Sequence, residues 1–277
     1  MPPLKIITFN AEGLTFTKAK LLASLNADVL CLQETHKDSV PPNIQGMHLI
    51  IHHPSRVHGS AIYAKDKSTI IQSDDISHGE IEILQVKMEQ ITIISVYKPP
   101  PIPFDWPINH NIDNQICLIL GDFNSHSTTW GYSHTDTNGE AVERWAINKD
   151  LSLLHDSKDE PSFQSARWRR GYNPDLIFIS ARHIGNFKKH VEHPIPRSQH
   201  RPLSILAKPV IQPTINNKKI NRFNFRKANW DKFTPELDTK VEDIRPEPEF
   251  YESFQGSVWK AAKDNIHVAV VKLTSHL

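Results

Sequence analysis

Cysteine is nearly missing: 277 residues hold two, Cys31 and Cys117, each inside an apolar run and neither at metal-ligand spacing from a histidine. That excludes a disulfide scaffold, disfavours zinc, and points to buried thiols in a reducing compartment. Long apolar runs are missing too. None approaches the ~18–20 residues that span a bilayer, so no membrane partner is expected. Met1-Pro2-Pro3-Leu4-Lys5 enters a β-prone segment with no signal-peptide pattern. Charge of one sign is absent: Lys and Arg number 32, Asp and Glu 31, and the formal net charge is +1. A basic footprint for nucleic acid therefore has to be local. There is no Gly-rich phosphate loop, no Gly-x-Ser-x-Gly elbow, no internal repeat and no low-complexity tract. The expectation is a soluble, monomeric, intracellular protein, nuclear or cytoplasmic, of ordinary globular composition.

What is present is a series of short apolar runs that end in polar groups. Ile116-Cys117-Leu118-Ile119-Leu120 reads as a strand buried on both faces. Gly121-Asp122-Phe123-Asn124 follows it, and alternation puts Asp122 and Asn124 on one side with Phe123 turned into the core. Leu4 to Phe9 is a second strand, ending at Asn10. A helix capped by Thr17 follows, with Leu21, Leu22 and Leu25 at helical spacing. Asp28 to Gln33 is a third strand, ending at Glu34. Strand–helix–strand with polar groups at the strand ends marks an α/β unit. Four runs joined by short turns then read as hairpins: Ser60–Lys65, Thr69–Gln72, Ile81–Lys87 and Ile91–Tyr97. A helix around Ala141–Ile147 with Trp145 inward, and strands at Asp175–Ser180 and Leu203–Ala207, complete two packed sheets flanked by helices. His52, His53, His58 and His126 are read as loop residues.

From about Pro209 the texture changes. Pro213, Asn216 and Asn217 precede a basic stretch with Lys218, Lys219, Arg222, Arg226 and Lys227. This sets a boundary between residues 1–208 and a linker and helical tail over 209–277. Tyr251, Phe254, Val258 and Ala262 give the tail an amphipathic helix whose apolar face has no evident partner in the chain, leaving it for a missing domain or a partner.

The strand-end groups are Asn10, Glu34, Tyr97, Asp122, Asn124, Asp175 and His200. An oxygen-rich set of this kind suits Mg²⁺, with Mn²⁺ as a substitute. Phe9-Asn10-Ala11, Leu32-Gln33-Glu34-Thr35, Val96-Tyr97-Lys98-Pro99-Pro100, Gly121-Asp122-Phe123-Asn124, Pro174-Asp175-Leu176 and Ser198-Gln199-His200 occur in that order. Over roughly residues 4–208 the chain resembles the endonuclease/exonuclease/phosphatase superfamily. Within it, the resemblance is to the apurinic-endonuclease-like nicking domain of non-LTR, LINE-type, jockey-like retrotransposons. It implies a four-layer α/β/β/α sandwich. Glu34 would bind Mg²⁺ with Asn10 beside it, and Asp122 would orient or deprotonate the attacking water. Asn124 would hold the phosphate and Tyr97 contact it or the metal site, while Asp175 pairs with His200. Ser162 would add a hydrogen bond near the cleaved strand. Gln199 stands where most relatives place Asp, which implies weaker metal affinity.

Singly, these residues have plain readings: Asn10 a turn residue, Glu34 a solvated edge, Tyr97 loop packing. Six ordered blocks outweigh them. Between Ser165 and Arg201 lie Arg167, Arg169, Arg170, Arg182, Lys188, Lys189, Arg197 and Arg201 against only Asp175 and Glu192. Interleaved with Trp168 and Tyr172, they suggest a rim that tracks the phosphates of double-stranded DNA, with Arg167 to Arg170 a hairpin entering a groove. A solvated surface is the alternative. The implied activity is a Mg²⁺-dependent endonuclease that nicks one strand and leaves a 3′-hydroxyl, as in target-primed reverse transcription. No polymerase Ala-Asp-Asp box appears, so a truncated element, an excised domain or a host-retained fragment is expected. The alternatives are abasic-site repair, phosphomonoester hydrolysis, and a nucleic-acid-binding pseudo-enzyme.

Overall fold

The computed structural model describes residues 3–107, 116–208, 220–223, 228–242, 244, 250–266 and 268–271. In chain order its first unit runs β1 (Leu4–Asn10), α1 (Phe16–Ser24), β2 (Val29–Gln33), β3 (His48–His53), β4 (Ser60–Ala64), β5 (Ile70–Asp75), β6 (Glu82–Met88), β7 (Ile91–Tyr97) and β8 (Ile116–Asp122). It continues with α2 (Thr137–Asn148), β9 (Leu151–Leu153), β10 (Phe163–Gln164), β11 (Gly171–Tyr172), β12 (Asp175–Ser180), β13 (Phe187–Val191) and β14 (Leu203–Ala207).

Two mixed six-stranded sheets result, ordered β13-β14-β1-β2-β4-β3 and β5-β6-β7-β8-β12-β9. Each is built around one parallel pair, β1 with β2 and β7 with β8; the other pairings are antiparallel. Three apolar clusters define the layers. One, with Ile6, Cys31, Ile93, Leu118 and Ile205, joins the two sheets. A second packs Trp145 and Val142 of α2 on Ile119, Phe123 and Phe178. The third packs Ala19 and Leu22 of α1 on Ile7, Leu30 and Leu32. The arrangement is an α/β/β/α sandwich. A few polar groups also cross between the sheets and are fully paired, as burial demands. Gln33 Nε2 donates to Ser95 Oγ at 2.8 Å, and Glu82 accepts from Ser60 Oγ at 2.6 Å and from the Gly59 N–H at 2.8 Å.

Several local expectations shift. The α1 cap is Thr15, whose hydroxyl accepts from the Lys18 N–H at 3.2 Å, so the helix starts before Thr17. Leu21 is exposed and the buried phase is Lys18, Ala19 and Leu22. His52 and His53 lie on β3, a half-buried edge strand whose register slips between Leu49 and Ile51, which hides its alternation. The short strands β9, β10 and β11 have two or three residues each, too few to show a period.

The chain divides into compact units Met1–Val210 and Ile211–Leu277. In the second, β15 (Ile220–Phe223) pairs antiparallel with β16 (Val268–Val271). Between them come α3 (Trp230–Glu242) and α4 (Phe250–Asn265). Helix α4 packs on α3, burying Ala261, Ala262 and Ile266, and Asn265 Nδ2 reaches Glu236 at 2.6 Å. The tail helix therefore has a partner within the chain, contrary to expectation. Pro209, Pro213, Asn216, Asn217, Lys218, Lys219, Arg226 and Lys227 lie outside the described residues, as do the side chains of Arg222 and Tyr251. Among the described residues no helix is long and apolar enough to cross a membrane.

Candidate active site

Strand direction alone gathers the polar groups. The parallel strands β1, β2, β7 and β8 all deliver their carboxyl ends to one edge of the sandwich. There Asn10 stands opposite Gln33, and Tyr97 opposite Asp122. The antiparallel neighbour β12 starts at that same edge, with Asp175 directly opposite Asp122. His200 arrives just before β14, bridged to Phe163. Gly121 makes the approach feasible: a Cβ there would lie 1.9 Å from the Val96 carbonyl oxygen, and its φ of +139° favours glycine.

Asp122, 1% exposed, sits at the centre. Its carboxylate accepts from Asn10 Nδ2 at 2.9 Å, Asn124 Nδ2 at 2.9 Å and the Asn124 N–H at 3.0 Å. Asn10 Nδ2 also donates to Glu34 Oε1 at 2.8 Å, so one amide ties the acid ends of both sheets together. His200 Nε2 lies 3.9 Å from Asp122 Oδ2, and its Nδ1 lies 2.9 Å from Asp175 Oδ2. Ser162 donates to the same Asp175 oxygen at 2.7 Å. Glu34 and Asn124 hold positive φ angles of 48° and 42°, a cost accepted where a side chain must be aimed.

Electrostatics follows from burial. Desolvation pushes Asp122 up to about 7, with the Asp175 charge adding to it, while His200 and the Asn10 amide pull the other way. Burial would lower His200, but Asp175, Asp122 and Glu12 outweigh it and hold the imidazole up at about 9. The Tyr97 phenol is pushed well above its ordinary range, by burial first and then by Glu34 and Asp122. Its oxygen is 3.2 Å from His58 Nδ1, which places His58 at the site margin.

The structure thus brings Asn10, Glu34, Tyr97, Asp122, Asn124, Asp175 and His200 together. Ser162 is 2% exposed and its hydroxyl is engaged by Asp175, so it is not a surface contact for a strand. Arg167, Trp168, Arg169 and Arg170 occupy the loop of the β10–β11 ribbon, with Trp168 62% exposed and Arg167 stacked 4.7 Å from its ring centroid. The wider basic rim is thinner than its composition: Lys189 pairs with Asp159 and Arg201 with Glu160. His126 stacks on Tyr132 at 4.2 Å.

Two residues at this end were missed. Glu12 accepts the Gln199 N–H at 3.2 Å and lies 4.0 Å from His200 Nε2. Lys18, 3% exposed, donates to the carbonyls of Ala11, Glu12 (3.2 Å) and Arg197 (2.8 Å), stitching the β1–α1 loop to the segment before His200. A lysine in the buried phase of α1 was the available signal.

Ligand atoms of Asp122, Asp175 and His200 lie within 4.8 Å of one another, a buried group whose composition is consistent with a metal ion. Its occupancy by hydrogen bonds argues for a different division. Asp175 is committed to His200 and Ser162, and an imidazole held protonated is a poor ligand. Glu34, with a side chain 20% exposed, and Glu12, at 26%, are the less buried carboxylates at this end.

Residues 91–204 match the protein family described as "Endonuclease-reverse transcriptase". Three solved structures share the fold. The endonuclease domain of TRAS1, a telomere-specific non-LTR retrotransposon, matches with 17% identity and TM-score 0.55, over 75% of this chain and 99% of that one. An AP endonuclease from Archaeoglobus fulgidus gives 16% and 0.59, over 74% and 100%. The AP endonuclease LMAP from Leishmania major gives 14% and 0.57, over 75% and 89%. No curated protein sequence matches the chain. The family model spans less than half of the chain, and the likeness to the three solved structures is one of fold: an α/β sandwich like that of AP endonucleases, with the strand-end constellation at its edge.

Proposed function

We propose that this protein is a Mg²⁺-dependent DNA endonuclease. It would nick one strand of a duplex to leave a 3′-hydroxyl and a 5′-phosphate, in the manner of the nicking step of a non-LTR retrotransposon. The observation that carries the reading is the line Asp175–His200–Asp122, in which the imidazole is fixed by one carboxylate and turned toward another.

Phosphodiester cleavage needs an in-line water, charge relief on the non-bridging oxygens and relief at the leaving 3′-oxygen. Asp122, raised by burial and steadied by Asn10 and Asn124, takes a proton from the attacking water. His200, held as imidazolium by Asp175, donates to the phosphate as negative charge builds there. Asn124, whose Nδ2 already links Asp122 and the Lys98 carbonyl, positions a phosphate oxygen, and Tyr97 faces the same margin. Bound by Glu34 with Asn10 beside it, Mg²⁺ would supply Lewis-acid stabilisation of the leaving oxygen. The exposed Arg167, Trp168, Arg169 and Arg170 loop contributes phosphate contacts and a groove-facing aromatic.

Supercoiled plasmid incubated with Mg²⁺ should relax to open circle, and ligase alone should reseal the product. His200→Ala should lose the activity. Salt-dependent binding without cleavage would make the protein a pseudo-enzyme. Strong preference for an abasic over an intact duplex would move the reading to repair.

A further inference from the structure

The basic hairpin is not an independent flap. Its first strand, β10, is paired to the segment that carries His200: the Gln164 N–H donates to the Gln199 carbonyl at 2.8 Å and the Arg201 N–H to the Ser162 carbonyl at 2.6 Å. The Phe163 ring sits edge-on to the His200 imidazole at 4.8 Å. The Ser165 N–H closes the loop on the Arg170 carbonyl at 3.0 Å.

Across this ladder reaches Gln199. Its Oε1 accepts the Ala166 N–H at 2.9 Å, the first free donor of the hairpin loop. Its Nε2 donates to Glu12 Oε1 at 3.4 Å, and its main-chain N–H donates to Glu12 Oε2 at 3.2 Å. Glu12 is itself pinned, with φ at 41° and its carbonyl held by the buried Lys18, and it lies 4.0 Å from His200 Nε2. The side chain at position 199 must accept at one end and donate at the other. A carboxamide does both. A carboxylate would face Glu12 with like charge, and Asp is also one methylene short of Ala166.

We propose that Gln199 is a positioning residue that clamps the root of the Ser165–Arg170 hairpin to Glu12. By fixing the hairpin relative to His200, it sets which phosphodiester of a bound duplex reaches the site. This rests on the nuclease reading, because the hairpin matters to cleavage only if the substrate is a duplex lying across both. It also gives Gln199 a task away from the cation: both of its side-chain ends are spent on Ala166 and Glu12.

The test uses the full chain with Gln199→Met, Gln199→Asp and Gln199→Glu, each checked for a native melting transition. Amide exchange at Ala166 should speed up about tenfold, the worth of one hydrogen bond, in the Met and Asp variants and by less in the Glu variant, which keeps an acceptor of the right reach but faces Glu12 with like charge. On an end-labelled duplex, the Met and Asp variants should spread cleavage to neighbouring phosphodiesters and raise KM more than they lower kcat. Their half-saturating Mg²⁺ should match the native value. Unchanged Ala166 exchange in all three variants overturns the clamp. So does a Gln199→Asp protein with tighter Mg²⁺ dependence and an unaltered cleavage pattern. Should the native chain not nick DNA at all, the nuclease reading falls, and the exchange series alone decides the clamp.

Discussion

Asp175 and His200, on one flank of Asp122, are buried and paired to each other, whereas Glu34, reached through Asn10, keeps a fifth of its side chain exposed. On the first flank every hydrogen-bonding atom but His200 Nε2 has a committed neighbour, so the imidazole is aimed before any substrate arrives. That is electrostatic preorganisation, which costs nothing at the moment of reaction. On the second flank Glu34 takes the Asn10 amide on Oε1 at 2.8 Å, has His36 at 3.3 Å from its other oxygen, and is hydrogen-bonded to the Tyr97 phenol. Two carboxylates bridged by a single neutral amide leave negative charge unbalanced, the condition under which a divalent ion binds.

The widest separation of the two flanks should come from paired substitutions. His200→Ala is expected to lower kcat/KM by about 10³–10⁴-fold, and added Mg²⁺ should not restore it. Glu34→Gln is expected to lower the rate at ordinary Mg²⁺ by about 10²-fold, with much of the loss recovered as Mg²⁺ is raised. Plasmid-nicking rates over a Mg²⁺ titration read both. Rescue of His200→Ala by the cation, or none of Glu34→Gln, would erase the distinction.

A pH profile separates the flanks with a smaller effect. The proposed mechanism needs Asp122 ionised and His200 protonated. With Asp122 raised to about 7 and His200 to about 9, kcat/KM in limiting Mg²⁺ should climb through the first value and fall through the second. The limbs belong to the Asp122–Asp175–His200 group as a unit. A cation near Glu34 favours the charged form of Asp122, so the acid limb should slide to lower pH as Mg²⁺ rises. The residual activity of His200→Ala should have no alkaline limb. An acid limb fixed at all Mg²⁺ concentrations would detach Asp122 from the cation.

Legibility in the sequence followed the same divide. Strands β7, β8, β12 and β14 show as apolar runs because both faces are covered, and each carries a polar residue at or just before the end that reaches the site. Parallel pairing then makes convergence of Asn10, Glu34, Tyr97 and Asp122 a matter of strand direction. What sequence did not disclose are groups whose role is made by distant neighbours. Ser162 reads as a hydrogen bond near the cleaved strand until β10 is seen to seat it on Asp175. The role of Lys18 shows only once three loop carbonyls are found around it, although its place on the apolar face of α1 marked it out. Gln199 reads as a lost carboxylate until Ala166 and Glu12 are found at its two ends. Local propensity says nothing of such contacts, since their sequence separations exceed any periodic window.

Ser162→Ala gives the smallest effect and the finest discrimination. It strips one donor from Asp175 Oδ2 while His200 Nδ1 remains on both oxygens, at 2.9 and 3.1 Å. A hydrogen bond to a charged group is worth about 1.5–3 kcal/mol, and loss of its donor leaves the buried carboxylate leaning harder on the imidazolium. Stability should fall by about that amount in urea melts, the His200 resonance should titrate at higher pH, and nicking should slow by only about tenfold. Glu34 lies beyond Asn10 and Asp122 from this bond, so the Mg²⁺ dependence should keep its native midpoint. A shifted midpoint would mean that the two flanks communicate through Asp122 rather than meeting at it.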